Sequence, residues 1–235
     1  MRRKTGRTTW NPAFDTAPTS DVPRIKFSHK YSRKYVECAN YVVEIGCGTG
    51  SFTRLIDDVR CIGIDLDIHA LHVAKRYCPQ SDFIAASGTN LPFRDGTLDL
   101  VCVWGVFEEI PFGAELELIK ESQRILKRDS TFLMSAYTDK FFCKALDPAH
   151  VLKGIRHYET QRLLKSISDL GFLVNNYTIR GGPYTIISNF LVYFYKHILH
   201  KKHGKIKRFF EKKSDNEIDS KDNGIVYVYI SAKKK

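Results

Sequence analysis

The sequence predicts an α/β fold, in which a doubly wound sheet of seven strands is mostly parallel and has an antiparallel last strand. First, β-prone apolar runs alternate with segments of helical periodicity from Tyr41 onward. Second, most successive strands are separated by about a dozen residues, the length of a helical crossover between parallel strands. Third, a glycine-rich turn follows the first strand. The last connection is irregular, so we expect the final strand to lie at the end of the pairing order.

Each predicted element follows from its local residue pattern. The strands are expected over residues 41–45, 61–65, 82–86, 98–103, 131–137, 172–179 and 225–231. Residues 51–56, after the glycine turn, can open a helix. Asp67 is suited to cap a second helix, whose apolar positions Ile68, Leu71 and Ala74 recur at helical spacing. The remaining helices are predicted over residues 114–126 and 159–170.

The flanking segments depart from this alternation. Residues 1–30 lack periodicity and contain Gly, Pro, Thr, Ser and basic residues, which predicts a loosely ordered basic arm before a domain over 31–235. Residues 183–213 combine apolar positions at helical intervals with a basic run, which predicts a helical insertion before the last strand. Polar and charged residues over 214–223 predict a flexible loop.

The composition is that of a globular protein and excludes several classes. The 235 residues are 43% hydrophobic and 27% charged, which excludes a fibrous, collagen-like or wholly disordered chain. No uncharged apolar stretch reaches the ~20 residues that cross a bilayer, and the N-terminus lacks the apolar core of a secretory signal. The six cysteines lack the spacing of zinc or redox motifs and are expected to be reduced and mostly buried. We therefore expect a cytoplasmic protein.

The net charge of +11 belongs to the two ends of the chain. Residues 1–40 carry nine Lys or Arg against three Asp or Glu, and residues 196–235 carry twelve against five. The segment between them carries sixteen against eighteen. Such basic ends are either a solvated surface or a site for anionic lipid, nucleic acid or a phosphorylated substrate.

A glycine turn and an acidic residue define the candidate ligand site. Gly46, Gly48 and Gly50 follow the first strand at every second position, and glycine lets a ligand approach the backbone closely. The dinucleotide fingerprint requires its third glycine one position later, where this chain has Ser51. Asp65 ends the second strand, where its carboxylate can accept hydrogen bonds from both ribose hydroxyls or, alternatively, cap a helix.

Three stretches, taken in order, resemble one family. They are Val42-Val43-Glu44-Ile45-Gly46-Cys47-Gly48-Thr49-Gly50, Ser87-Gly88-Thr89-Asn90-Leu91-Pro92-Phe93 and Arg124-Ile125-Leu126-Lys127. Together they resemble the class I S-adenosylmethionine-dependent methyltransferases, and in particular the type 11 methyltransferases, which include quinone-biosynthesis enzymes. The resemblance covers residues 35–180 approximately. It implies a Rossmann-like fold.

The resemblance also implies a cofactor, S-adenosylmethionine, with S-adenosylhomocysteine as product. It assigns Glu44 and the turn backbone to the methionine part, Asp65 to the ribose and Leu66 to the adenine. Ser87 replaces the acidic residue of the family on the adenine side. Trp104 lies either near the methyl group or in the core as an ordinary aromatic residue. The implied cofactor-binding residues are Glu44, Gly46, Cys47, Gly48, Thr49, Gly50, Asp65, Leu66, Ser87, Gly88 and Trp104.

The sequence does not single out a catalytic base. One is required only if the acceptor is a poorly acidic hydroxyl or a carbon. Candidates near the ends of the fourth and fifth strands, each of which can equally be a packing or surface residue, are Glu108, Glu109, Tyr137, His157 and Tyr158. The segment 104–107 lacks the Asn-Pro-Pro-aromatic motif of enzymes that methylate base amines, which disfavours that reaction.

The insertion allows two interpretations. Its helically spaced apolar residues are Ile187, Phe190, Leu191, Phe194, Tyr195 and Ile198. They could pack over the sheet edge or in a dimer contact. With the basic run that follows, they could instead form a lid that receives a lipid-linked acceptor at an anionic membrane surface. His197, His200 and His203 are spaced by three, but neighbouring lysines oppose a cation, so no metal site is predicted.

The sequence therefore predicts methyl transfer from S-adenosylmethionine to oxygen or carbon of a small-molecule or lipid-like acceptor. The expected protein is cytoplasmic, with peripheral contact to an anionic membrane as an open alternative. An RNA-directed methyltransferase is the first competing hypothesis, because the ends are basic. A non-catalytic relative acting as a partner subunit is the second, because Ser87 departs from the family pattern. The pattern does not define the oligomeric state.

Overall fold

A computed structural model describes residues 22–57, 59–200, 204–220 and 223–235. The strands are β1 (Tyr41–Ile45), β2 (Arg60–Asp65), β3 (Asp82–Ala85), β4 (Leu98–Trp104), β5 (Leu126–Tyr137), β6 (Phe172–Arg180) and β7 (Tyr227–Lys234). The α-helices are α1 (Pro23–Val36), α2 (Ile68–Tyr77), α3 (Ala114–Ile125), α4 (Phe141–Ala145), α5 (Pro148–Lys153), α6 (Thr160–Asp169), α7 (Pro183–His197) and α8 (Lys205–Asp219). They surround one sheet with the order β3-β2-β1-β4-β5-β7-β6.

The sheet confirms the predicted fold class and corrects the position of one strand. The strand pairs within the set β1 to β5 are parallel, whereas β7 is antiparallel to both β5 and β6. The last strand is therefore antiparallel as predicted, but its expected place at the end of the pairing order was wrong. Residues 226–230 are all nearly inaccessible to solvent. An uninterrupted buried run of this kind is typical of an internal strand that is covered on both faces.

Alternate residues of the central strands pack into two layers. Val43 and Val101 belong to a cluster with residues of α3 and α6, whereas Val42 and Leu100 belong to a cluster with residues of α1. The alternation follows from the two-residue period of strand side chains. Five of the six cysteines are buried, and all six are free thiols. None of the helices within the described ranges is long and apolar enough to cross a bilayer.

The segment after the glycine turn differs from the predicted helix. It forms only a 3-10 turn over Thr53–Leu55 before the chain becomes extended at Ile56. Phe52 is fully buried there, and Thr53 donates both its N–H and its hydroxyl to the carboxylate of Glu44. Tertiary contacts hold this short connection, so the site lacks the helix N-terminus that the sequence suggested.

The N-terminal region is more ordered than the predicted arm where the structure describes it. Residues 1–21 lie outside the described residues, but α1 includes most of 22–30 and continues to Val36. Pro23 occupies its first turn, a position that proline favours. Ile25 and Phe27 are buried, and the Phe27 ring packs edge-on against Tyr229 with centroids 4.7 Å apart. These apolar contacts order a segment that lacks a clear sequence period.

The insertion contains two helices, α7 and α8, and the second replaces most of the flexible loop predicted over 214–223. Ser214 and Ile218 are buried on the inner face of α8. Glu217 accepts hydrogen bonds from three backbone N–H groups at the N-terminus of α7. The polar composition of this segment therefore reflects capping and an exposed outer face. The short helices α4 and α5, before α6, had no counterpart in the predicted elements.

Candidate active site

The glycine turn lies at the carboxyl end of β1, where the backbone requires glycine. Gly46 and Gly48 have φ angles of +73° and +52°, which side-chain-bearing residues rarely adopt. A Cβ atom at Gly46 would also collide with the Val106 side chain, which follows β4. The backbone of the turn, which carries no side chain at Gly46, therefore packs directly against the loop after β4.

Asp65 connects this turn to the end of β2. Its Oδ2 accepts a hydrogen bond from the N–H of Gly48 at 2.8 Å, and its Oδ1 accepts one from the N–H of Asp67 at 2.9 Å. A carboxylate has about four acceptor positions, so each oxygen keeps one for a ligand hydroxyl. The contacts hold the carboxylate in place before any ligand arrives.

A cavity of about 420 Å³ opens beside Asp65. Of the predicted cofactor residues, those that line it are Gly46, Asp65, Leu66, Ser87 and Gly88. A Cβ atom at Gly88 would lie 2.8 Å from Ile45 Cγ2 and 3.1 Å from Leu118 Cδ1, so glycine widens the cavity at this point. Lining residues that the sequence analysis did not assign include Ile45, Ile64, Val106, Ile110 and Leu118. They come from strand ends, from the loop after β4 and from α3, and apolar type alone does not distinguish them from core residues.

Other predicted cofactor residues do not line this cavity. Cys47 and Thr49 are buried in the turn, and Gly50 packs near Ala74 of α2. The Glu44 carboxylate faces Thr53, with 2.5 Å between Oε2 and the threonine Oγ1. Burial raises the pKa of Glu44 to about 8, although the hydrogen bonds from Thr53 oppose the shift. Glu44 thus supports the turn through Thr53 and does not line the cavity itself.

Trp104 matches the core interpretation in its packing. Its ring lies 5.5 Å from the Phe52 ring and 6.2 Å from the Tyr229 ring, and only 4% of the residue is exposed. It is not among the residues that line the cavity. The indole N–H nevertheless has no hydrogen-bond partner within the described structure.

Ser87 forms a small hydroxyl network at the cavity wall. Its Oγ lies 2.8 Å from Thr89 Oγ1 and accepts a hydrogen bond from the Thr89 N–H. Thr89 also lines the cavity. Two hydroxyl groups therefore stand where the family places a carboxylate, and both can accept or donate hydrogen bonds.

Among the predicted base candidates, Glu108 has the most unusual environment. It is buried, its Oε1 lies 3.3 Å from Arg24 Nη1, and its Oε2 has no hydrogen-bond partner within the described structure. Burial raises the pKa of Glu108 to about 7, while the Arg24 charge opposes the shift. Glu109 lines the cavity itself.

The other base candidates have local structural partners. The two His157 ring nitrogens contact the Thr138 carbonyl and the Asp147 carboxylate, at 2.8 Å and 3.1 Å. Tyr158 donates its hydroxyl to the Phe107 carbonyl at 2.6 Å. The Tyr137 hydroxyl lies 3.4 Å from the hydroxyl of Tyr227.

Three further polar residues near these candidates, which have no signal in the sequence, are Arg24, Tyr227 and Asn189. They lie far apart in the sequence, and Asn189 exchanges hydrogen bonds with the Tyr227 hydroxyl at 2.8 Å and 3.0 Å. No local motif connects them. The described residues contain no group of three or more His, Cys, Asp or Glu suited to a metal ion. His203 lies outside the described residues.

The geometry agrees with comparisons to known proteins. A family model described as a methyltransferase domain matches residues 43–134, the segment that contains the glycine turn, Asp65 and β4. Over these residues the chain is similar to S-adenosylmethionine-dependent methyltransferases. The type 11 resemblance is thereby confirmed.

Relatives and solved structures extend the agreement beyond the matched segment. A probable S-adenosylmethionine-dependent methyltransferase of Mycolicibacterium smegmatis is 30% identical over 62% of this chain and 57% of the relative. Demethylmenaquinone methyltransferase of Paenarthrobacter aurescens is 32% identical over 36% of this chain and 38% of the relative. Geranyl diphosphate C-methyltransferase of Streptomyces coelicolor, solved with S-adenosylhomocysteine, shares the fold with a TM-score of 0.63 and 11% identity, over 89% of this chain and 79% of that one.

What the comparisons establish for the methyltransferase domain is limited by how much of each relative is matched. The chain spans roughly half the length of the curated relatives that it matches. The predicted cofactor is confirmed at the level of the family. The acceptor differs between the named relatives and is not defined for this chain.

Proposed function

We propose that this chain transfers the methyl group of S-adenosylmethionine to a small-molecule acceptor, at oxygen or carbon. The observation that carries the proposal is the preorganised Asp65 carboxylate beside a cavity of about 420 Å³ that glycine keeps open. The cavity size is within the range of small-ligand sites. The residues present therefore fit the cofactor of the family.

In this proposal, each part of the cofactor contacts different residues of the cavity. Asp65 accepts the ribose hydroxyls, and the backbone at Gly46 lies along the methionine part. Leu66 and the hydroxyl pair of Ser87 and Thr89 border the adenine, where Thr89 adds a second hydroxyl to the residues that the sequence suggested. Glu44 acts indirectly, since it holds Thr53 and with it the shape of the turn.

The bound cofactor supplies a methyl group on a positively charged sulfur, which an acceptor atom can displace. The protein's contribution is to align the two reactants and exclude water, and such positioning can lower a barrier by about 7 to 11 kcal/mol. The apolar wall of Ile45, Val106 and Leu118 serves the exclusion of water. The Val106 side chain also fixes the turn on the methionine side.

Two measurements test this proposal. Calorimetric titration with S-adenosylmethionine and S-adenosylhomocysteine should give binding of both, and no binding would support the partner-subunit hypothesis. Tritiated methyl transfer into a cell extract should place the label in the small-molecule or lipid fraction. Label found only in RNA, together with salt-dependent RNA binding, would support the RNA-directed alternative.

A lipid-like acceptor is favoured by one specific surface. α4 exposes Phe141 and Phe142, and α5 exposes Val151 and Leu152, with exposures between 65% and 75%. Apolar residues exposed on the insertion are Tyr184, Ile187, Phe190, Ile198, Leu199, Ile206 and Phe209. Exposed aromatic and aliphatic side chains near basic residues are typical of proteins that bind anionic membranes at the interface. We infer that α4, α5 and the insertion contact the lipid surface together.

Flotation with vesicles that contain anionic lipid tests this contact. The double variant Phe141→Ser and Phe142→Ser should reduce binding several-fold, because each aromatic ring contributes apolar area to the interface. Leu173→Ser is the matched control, since Leu173 is 56% exposed but lies at the start of β6, beside Lys233 of β7, and belongs to neither α4, α5 nor the insertion. Equal flotation of both variants and of the unaltered protein would exclude this surface.

A further inference from the structure

A second polar cluster lies outside the cofactor cavity, on the face of the sheet that α1 covers. Trp104, Ser135 and Tyr229 are register partners across β4, β5 and β7. The Tyr229 hydroxyl donates to the Arg24 carbonyl at 3.4 Å, which joins this row to α1. Arg24 in turn contacts Glu108, in the loop after β4. Four distant parts of the chain therefore meet here.

Three atoms of this cluster are buried without partners. Within the described structure, the Trp104 indole N–H, the Ser135 hydroxyl and Glu108 Oε2 make no hydrogen bond. All three residues are at most 4% exposed. Buried polar groups without partners are costly, and several close together indicate a bound molecule or ordered water. These polar atoms therefore mark a candidate binding site.

The position of Arg24 connects this cluster to the reacting end of the cofactor cavity. A Cβ atom at Gly105 would collide with the Arg24 guanidinium, so the guanidinium lies directly on the Gly105 backbone. Gly105 also lines the 420 Å³ cavity. One cation thus stands at the boundary between the proposed methyl donor and the polar cluster.

We propose that Arg24 and Glu108 form a subsite for an acidic oxygen of the methyl acceptor, a carboxylate or an ionised hydroxyl, which displaces Glu108 from Arg24. This inference rests on the proposed function, because it names the substrate class of the same active site. Glu108 is the internal counter-ion of Arg24. When the acidic acceptor binds, Arg24 pairs with the acceptor, and Glu108 takes up a proton.

The surroundings of Glu108 make that exchange reasonable. The charged or titratable groups around it are Arg24 on α1, Glu109 in the same loop, Arg156, His157 and Tyr158 before α6, Tyr137 on β5, and Tyr227 and Tyr229 on β7. The Arg156 guanidinium is engaged by Glu115 and by the carbonyls of Phe107 and Ile110. Arg24 is therefore the cation that contacts the Glu108 carboxylate directly. A Glu108 pKa of about 7, raised by burial, lets the group change its protonation near neutral pH.

Binding of benzoate tests the subsite, with benzamide as a neutral probe of the same shape. Both are titrated by calorimetry in the presence of saturating S-adenosylhomocysteine. Benzoate should bind at least about tenfold more tightly than benzamide, and its dissociation constant should rise about tenfold from pH 6 to pH 8 as Glu108 ionises. Pentafluorophenolate, ionised at both pH values, distinguishes an ionised hydroxyl from a carboxylate.

Three variants locate the effect. Arg24→Met should abolish the preference for benzoate, whereas Glu108→Gln should keep the preference and remove its pH dependence. Lys26→Met is the matched control, because Lys26 lies on the same helix and pairs with Asp215 outside the cluster. In a Trp10→Phe background Trp104 is the single tryptophan, and its indole N–H resonance should shift with benzoate.

The outcomes separate this inference from the proposed function. If S-adenosylhomocysteine binds but benzoate and benzamide bind equally, or neither binds, the Arg24–Glu108 pair only fastens α1 and the subsite is wrong. An unchanged pH dependence in Glu108→Gln has the same meaning. If S-adenosylhomocysteine itself does not bind, the proposed function fails first. Urea unfolding of each variant identifies any that has lost its fold.

Discussion

The proposed cofactor side and the proposed acceptor side of this protein are built in different ways. The cofactor side uses β1, β2 and the loop after β4, and its central contact, Asp65 to Gly48, joins residues 17 positions apart. The acceptor side brings Arg24 to Glu108 over 84 positions and to Tyr229 over 205. Backbone groups and glycines shape the first region, and long polar side chains shape the second. A contiguous motif can therefore specify the donor, whereas the acceptor depends on how distant segments pack.

The strongest test of this contrast is Asp65→Ala. We expect the affinity for S-adenosylmethionine to fall at least about 100-fold, because two hydrogen bonds to a charged group, worth about 1.5 to 3 kcal/mol each, are lost. Calorimetric titration measures the change. The indole resonance of Trp104 should stay in place, since the acceptor side is built separately.

Asp67→Ala is the control for that variant. Asp67 caps α2 through the N–H groups of His69 and Ala70, so its loss should cost about 1 kcal/mol of stability. Cofactor affinity should be unchanged. A similar loss of affinity in both variants would mean that Asp65 acts only through the local fold.

The insertion contacts α1 of the proposed acceptor side through α8. There, Glu217→Ala should destabilise the packing of α7 on α8. Glu217 accepts hydrogen bonds from the backbone N–H groups of Gly182, Tyr184 and Thr185. We expect the free energy of unfolding to fall by about 2 kcal/mol, the upper value for a helix cap. Urea unfolding measures it, and cofactor affinity should not change if the two sides are independent.

The matched control on the same helix is Asp219→Ala. Asp219 pairs with Lys30 of α1, but both side chains are more than half exposed, so the loss should be at most about 1 kcal/mol and should shrink in salt. An equal effect of the two variants would contradict the capping role of Glu217.

A third test concerns pH on the cofactor side. The pKa of Glu44 is raised by burial to about 8, above its value in the unfolded chain. Its contribution to stability is therefore present at low pH and lost as the pH rises through about 8. Between pH 5 and pH 9, the stability of the unaltered protein relative to Glu44→Gln should fall by up to about 1.4 kcal/mol per pH unit until the pH passes the pKa of Glu44.

Denaturant unfolding at the two pH values measures this difference. Glu37→Gln is the control, since Glu37 is exposed and pairs with Arg33 on the surface. The Glu37 variant should parallel the unaltered protein. If the stability of Glu44→Gln has the same pH dependence as that of the unaltered protein, this carboxyl group is not buried in the neutral form.

The smallest expected effect lies at the boundary between the two sides. Gly105 and Gly113 have φ angles of +68° and +91°, so alanine is strained at both. A Cβ atom meets Arg24 at Gly105 but open space at Gly113. Gly105→Ala should therefore cost about 1 kcal/mol more than Gly113→Ala, because only the first displaces a partner of a buried ion pair.

Thermal unfolding in an Arg24→Met background completes this comparison. The difference between the two glycine variants should disappear there, because the guanidinium is already absent. If the difference in stability between the two glycine variants persists in that background, its cause is backbone strain and not the contact with Arg24.

Much of the fold was predictable because it depends on local signals. The seven strands, the helix capped by Asp67 and the glycine turn follow from periods and turn residues that neighbouring positions define. The expected helix after the turn was wrong, because Glu44 and the burial of Phe52 hold that segment as a 3-10 turn. The predicted loose arm, in its described part, and the predicted flexible loop also differ from the structure, because contacts with distant residues order these segments. α1 and α8 owe their order to apolar packing and to capping by residues distant in sequence.

The candidate site likewise contains residues that local sequence signals predict and residues that only tertiary contacts reveal. Asp65, Gly46, Leu66, Ser87 and Gly88, which the sequence predicted to bind the cofactor, line one cavity because each lies at or just after the end of a strand, at the same edge of the sheet. Trp104 had two open interpretations from sequence, and its contacts with Phe52 and Tyr229 favour the core. Arg24 had no sequence signal, because an arginine near a proline is unremarkable until its partner is known.

By itself, the sequence determined the fold class, the methyltransferase family and the residues proposed to hold the methyl donor. Those properties rest on strand and helix periods and on short motifs in which the interacting groups are close in the chain. Tertiary structure alone decided that β7 lies between β5 and β6, and that Arg24 meets Glu108 beside the cavity. Such contacts form only when segments from opposite ends of the chain pack on one face of the sheet, so no local pattern contains them.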